Sequence, residues 1–242
     1  MRLSIFYNRL WTITKVLDKQ RQKESGRHRW AAAGLALWLA AAAPAQAADL
    51  DAGGLTFRDF GTNDNGASFH RGDPMIAGGP NVQPSRIAAI DKERGFARID
   101  FPQIHVELAI PMGWQATEDW ERAAAWSADK RFRAFVWRVD FPFEGVKDAE
   151  HYAATKIGSI QAHKPGVKAQ ARRLGDGTYL IVYENVPKGP GDGEARVVFD
   201  LVIPKPGQPK EGMLLTLGVP ASEAARGIKL MALLQQNMKI SW

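Results

Sequence analysis

The 242-residue sequence predicts an α+β domain, a mainly antiparallel β-sheet flanked by two amphipathic helices in an α/β/α sandwich. Three observations predict it. Short apolar runs with period-two alternation recur from Phe96 onward, bounded by Gly, Pro, Asn and Asp. Two segments, 148–163 and 222–238, instead carry apolar residues at three- and four-residue steps. Successive strand signals are joined by turns and not by crossover helices, which favours antiparallel pairing.

The stretch ahead of residue 48 is set apart by charge. The sequence holds 32 Lys and Arg against 26 Asp and Glu, a formal net charge of +6. Eight of the basic residues and two of the acidic ones fall within 1–47, so the whole excess lies there and the rest is neutral. Arg27, His28 and Arg29 precede the apolar run AAAGLALWLAAAAPAQA, which closes on Ala45-Gln46-Ala47. A basic start, an apolar core and an A-x-A site make residues 1–47 a signal peptide with a long basic n-region, cut between Ala47 and Ala48. The core is short and alanine-rich for a membrane span, so cleavage is favoured over the alternative of an uncleaved anchor, and no transmembrane segment is expected after cleavage. The mature chain is therefore expected in the periplasm or secreted. Its neutral balance gives no footprint for nucleic acid. With no cysteine, export brings no disulfides, and thiol catalysis, Cys-zinc sites, iron–sulfur clusters and c-type haem are excluded.

Residues 48–95 are rich in Gly and Asn with sparse apolar residues, and read as a loop-like N-terminal extension with one short strand at 55–60. A single globular domain is expected over 96–242. There Phe96, Ile99 and Phe101 alternate with Arg98 and Asp100, and Val106, Leu108 and Ile110 alternate up to Pro111-Met112-Gly113-Trp114. Residues 121–126 and 132–141 form a hairpin around Ser127-Ala128-Asp129-Lys130. Asp148 caps the first helix, Tyr152, Ala153, Ile157 and Ile160 share one of its faces, and Lys164-Pro165-Gly166 ends it. Strands at 167–174 and 179–185 flank Asp176-Gly177, a hairpin signature. Loops at 187–193 and 204–212 separate strands at 195–203 and 213–219. Ser222 caps the second helix, whose stripe is Ala225, Ile228, Met231, Leu234 and Met238, and residues 239–242 add a short final strand.

The order of elements from His105 onward resembles the PsbP-like superfamily, which includes the Mog-type and DcrB-like proteins. The resemblance rests on Ile110-Pro111-Met112-Gly113-Trp114, similar to that family's strand followed by Pro-x-Gly-Trp, on the strand, linker and amphipathic helix of 141–160, and on the last strand, long helix and apolar end of 213–242. It implies an α/β/α sandwich and a non-enzymatic role, binding a partner protein or stabilising an assembly, in some members with a divalent metal. It carries no shared catalytic motif. The 48–90 segment departs from the family pattern.

The residues themselves offer little chemistry. His105 and Glu107 would share one face of a strand, a pair compatible with a metal, although zinc sites need three or four protein ligands and an exposed polar face gives the same pattern. His163 sits where it would stabilise a helix C-terminus. Residues 59–66 lack the spacing and the bidentate Glu of a calcium loop, and Ser68-Phe69-His70 are sequence neighbours, a poor geometry for a nucleophile and its base. Arg71-Gly72-Asp73 is a three-residue coincidence. No nucleophile elbow, H-E-x-x-H, Walker loop or dinucleotide fingerprint occurs.

Aromatics stand out more. Five of eight tryptophans follow residue 47: Trp114, Trp120, Trp126, Trp137 and Trp242. Apolar residues occupy both faces of the 132–141 strand, which calls for cover on both sides, by the two helix layers or by a partner meeting Trp114, Trp120 and Trp137. The sequence thus favours an exported non-catalytic protein of the cell envelope that binds an envelope protein or a small ligand, with no cofactor expected. Two alternatives stand beside it: a divalent-metal-dependent enzyme using His105 and Glu107, and a purely structural periplasmic component.

Overall fold

Alternating apolar residues drive the chain into two antiparallel sheets. The computed structural model describes residues 49–62, 70–74 and 85–242, all within the unit Gln46–Trp242. The expected signal peptide and its expected cut between Ala47 and Ala48, Ser68 and Phe69, and the Gly/Asn-rich segments at 63–66 and 78–81 lie outside the described residues. The small sheet contains β1 (Arg86–Asp91), β2 (Phe96–Phe101), β3 (Val106–Pro111) and β11 (Lys239–Ile240) in the order β1-β2-β3-β11. The large sheet contains β4 (Gln115–Glu118), β5 (Arg122–Trp126), β6 (Arg133–Asp140), β7 (Lys168–Arg173), β8 (Tyr179–Val186), β9 (Arg196–Lys205) and β10 (Gln208–Pro220). Its order is β4-β5-β6-β10-β9-β8-β7, so β10 joins the two halves.

Two helices complete the layers. The first, α1 (Ala149–His163), packs on β7, β8 and β9, and α2 (Ala224–Gln236) packs on the other face against β10, β9 and β3. Sequence alternation sorts side chains between two cores. On β10, Met213, Leu215, Leu217 and Val219 face the core shared with the small sheet and α2, whereas Leu214 joins Val139, Phe141, Tyr152, Ile181 and Val202 under α1. One outer layer of the sandwich is therefore a helix, and the other combines a helix with a second sheet. Antiparallel pairing holds throughout.

Five sequence expectations need correction. Residues 55–60 carry no strand; Phe57–Phe60 is a 3-10 turn, because the Asp59 carboxylate accepts the Thr56 amide (2.7 Å) and hydroxyl (3.1 Å). Its Phe57 and Phe60 are buried, and β1 comes from the same 48–95 segment, so that segment supplies core and a strand as well as loops. Ser222 does not cap α2. It lies in the 3-10 turn Ala221–Glu223, where its amide and hydroxyl donate to Glu194 (3.0 and 2.6 Å), and the buried helix face runs through Gly227, Leu230, Met231 and Leu234, leaving Ala225 exposed. The expected loop at 204–212 is mostly the first half of β10, which re-registers between Gln208 and Gly212.

Candidate functional site

Strand register gathers several turns at one end of the large sheet. Arg122 pairs with Trp137 and Asp140 with Glu211, so the β4–β5 turn (119–121) and the segment after β6 emerge together. The β7–β8 and β9–β10 turns and the start of α1 reach the same end, where Asp148, Glu150, Arg173, Tyr179 and Lys205 line a cleft of about 460 Å³. The small sheet adds its β2–β3 turn and the residues after β11. Arg138 of β6 ties these down, donating through Nε to the Ile104 carbonyl (3.1 Å) and through Nη2 to the Ser241 carbonyl (2.7 Å). The Ser241 amide donates in turn to the His105 carbonyl (2.9 Å).

The three large apolar side chains left exposed among the described residues, Trp120 (74 %), Phe143 (88 %) and Trp242 (39 %), all stand at this end. Local hydrogen bonding puts them there. Asp119 accepts the amides of Glu121 (3.0 Å) and Arg122 (2.9 Å) and the Arg122 Nε (3.0 Å), a closed Asx turn that leaves Trp120 at its tip. Asp140 likewise accepts the Phe143 amide (3.1 Å), and Gly145, at φ 76°, turns the chain back so that Val146 donates to the Phe141 carbonyl (2.9 Å). Phe141 is thereby buried against Tyr152 while Phe143, two residues on, points to water.

Beneath the aromatics lies a buried acid. Glu118, the last residue of β4 and 1 % exposed, accepts the amides of Gln103 (2.8 Å) and Ile104 (3.0 Å) on one oxygen; the other oxygen is buried without a hydrogen-bond partner. Burial pushes its carboxyl up to about 7 against the pull of those two amides, with Asp100 and Asp119 adding to the rise. Asp100 is itself held above the usual range by burial and by Glu107.

A second buried charge cluster lies under α1. Asp200 of β9 accepts the Thr216 hydroxyl and pairs with Lys156 Nζ at 3.0 Å. Burial opposes the Lys156 charge, but the Asp200 carboxylate, together with Tyr152 and Glu144, more than offsets it and holds the ammonium above its ordinary range. A lysine held charged in this way is no nucleophile, so the cluster anchors the helix. Burial also raises the hydroxyls of Tyr152 and Tyr183.

The structure scatters the expected sites. Trp114 is 1 % exposed, donates through Nε1 to the Phe60 carbonyl (2.9 Å) and packs near Phe132, so it is core and belongs to no surface. Trp137 is half-buried on the α1 face of β6, with Lys156 Nζ 5.7 Å from its ring centroid. Of the three tryptophans Trp120 is the one that stands exposed. His105 is a turn residue at φ 55°, ahead of β3, so it and Glu107 do not share a strand face. Glu107 is instead paired with Lys239 (3.1 Å) and Arg98 (3.6 Å), an arrangement that does not fit a metal ligand. Among the described residues no three His, Asp or Glu groups converge. Sequence reasoning passed over Glu118, although a glutamate one alternation step from buried Ala116 is the signal that marks it.

No family model matches the chain, and no curated protein matches it. Solved structures do. The Ran-binding protein Mog1p of Saccharomyces cerevisiae is 12 % identical, covering 60 % of this chain and 95 % of that one, with a TM-score of 0.41. Cyanobacterial PsbP (CyanoP) from Synechocystis is 14 % identical over 61 % of this chain and 93 % of its own, with a TM-score of 0.44. Both are of the PsbP-like and Mog-type kind that the element order resembles, a likeness of architecture alone. No helix among the described residues is long and apolar enough to cross a membrane.

Proposed function

We propose that this chain is an exported, non-catalytic binding protein of the cell envelope that grips a partner protein with the aromatic end of its large sheet. One observation carries the reading: Trp120 and Phe143 emerge at the same end on separate, internally fixed turns, and Trp242 joins them there one residue beyond the tied-down Ser241. Aromatics held rigid before contact lose little entropy on docking and are the side chains that dominate interface energies. The basic leader, apolar core and A-x-A site support export.

Site-specific photo-crosslinking in the native host tests the partner. A photoreactive residue at position 120 or 143 should give the same discrete adduct, and one at Lys188, exposed at the opposite end, should not. No adduct, or equal labelling from position 188, rules the surface out. N-terminal sequencing of the native protein tests export: the chain should begin at Ala48, and retention of residues 1–47 would overturn it.

A further inference from the structure

We propose that Glu118 is a proton-operated latch that fastens the β2–β3 turn, and through it the residues after β11, to the end of the large sheet. The fastening is a continuous circuit. Glu118 accepts the Gln103 and Ile104 amides, the Ile104 carbonyl accepts Arg138 Nε, Arg138 Nη2 donates to the Ser241 carbonyl, and the Ser241 amide returns to the His105 carbonyl. Trp120 stands two residues beyond Glu118 and Trp242 one beyond Ser241, so two of the three exposed aromatics are mounted on this circuit.

The site is built for a neutral acid. One carboxyl oxygen has two amide donors, but the other is sealed from water with no donor at all. The charged groups on the surrounding elements offer it no counter-ion. Asp100 on β2 and Asp119 on the β4–β5 turn are acidic. Arg122 is held by Asp119, Arg138 by two carbonyls, and Glu107 on β3 by Lys239 and Arg98. Among the described residues no cation pairs with Glu118, and His105 on the turn is exposed. An ionised carboxylate in that setting is costly. Lifting the turn hydrates it, so deprotonation favours the open form.

The sign follows from linkage. The closed form releases its proton near 7 and an open form near the ordinary value of 4.5, so between those limits the closed form binds more protons. Opening therefore grows about tenfold per pH unit inside that window and levels off above it. The latch is shut in acid and loosened at neutral pH and above.

Native-state amide exchange of the full chain reads this directly. Opening constants for the Gln103, Ile104 and Ser241 amides, after division by intrinsic exchange, should rise about tenfold per unit from pH 5 to 7 and flatten by pH 8. The Ala221 amide, at the opposite end, should not follow. Glu118→Gln should abolish the rise. An unchanged rise in that variant, or none in the parent, overturns the latch. Should the variant not fold, the Glu118 carboxyl-carbon titration in the parent decides: a midpoint near 7 upholds it, and one near 4.5 overturns it. No partner is needed, so the latch stands or falls separately from the crosslinking result.

Discussion

Trp114 and Trp120 stand six positions apart and meet opposite fates, one at 1 % exposure with its indole N–H satisfied by Phe60, the other at 74 % on a turn tip. Trp114→Ala should cost about 3–5 kcal/mol of unfolding free energy in urea titrations, the penalty for emptying a packed aromatic site. Trp120→Ala should change it by less than about 0.5 kcal/mol. The sequence announces both rings equally, because which side of a turn a tryptophan takes depends on Asp119 closing its Asx turn and on the second sheet arriving over Trp114. Glu118 leaves a signature in global stability too. Its carboxyl, raised in the folded state, favours folding below the unfolded value, and that contribution is lost as pH rises from about 4.5 to about 7. The loss is on the order of 3 kcal/mol. Denaturation of parent and Glu118→Gln at pH 5 and pH 8 should show the parent alone losing that increment.

At the scale of elements, regular alternation was readable and irregular backbone was not. The strands β2, β3, β6 and β8 follow apolar periodicity, and the Asp176-Gly177 hairpin matches its turn chemistry. The strand β1, RIAAID, has too few bulky residues to stand out, and the start of β10 is punctuated by Pro209 and Gly212. Gly212 sits where an added Cβ would lie 2.7 Å from the Phe141 ring and from the Ile203 carbonyl, a tertiary demand invisible to local pattern. Helix α2 makes a similar demand at Gly227, where a Cβ would come within 2.9 Å of Val219 and Phe199. Gly227→Ala gains helix propensity of about 1 kcal/mol, yet the clash should outweigh it and leave a net loss of about 1–2 kcal/mol by thermal or urea unfolding. Under α1, Lys156→Met strands the buried Asp200 carboxylate and should cost about 3 kcal/mol. Adding Asp200→Leu to that variant should recover most of the loss, a double-mutant cycle that separates anchoring from mere packing.

For the molecule as a whole, two cores share one sheet, and stability and recognition occupy different places. The apolar layers are closed by α1 on one side and by α2 with the small sheet on the other, while the aromatic end contributes almost nothing to either core. Replacing Trp120, Phe143 and Trp242 together by Ser should therefore keep the urea midpoint within the range of surface substitutions, about 1 kcal/mol, while removing the crosslinked adduct from a probe at position 144. Loss of fold in that variant would move the aromatics into the core.

The central place of β10 has a consequence for the order in which the molecule can be made. Residues 208–242 supply the strand that joins β6 to β9, the helix α2 and the strand that borders β3. A growing chain emerging from the ribosome has all its earlier strands but nothing to unite them, so folding waits for residues 208–242. Such a polypeptide remains threadable until residues 208–242 have been made. Chains stalled at residue 207 should accordingly be digested by a brief protease pulse that full-length chains survive.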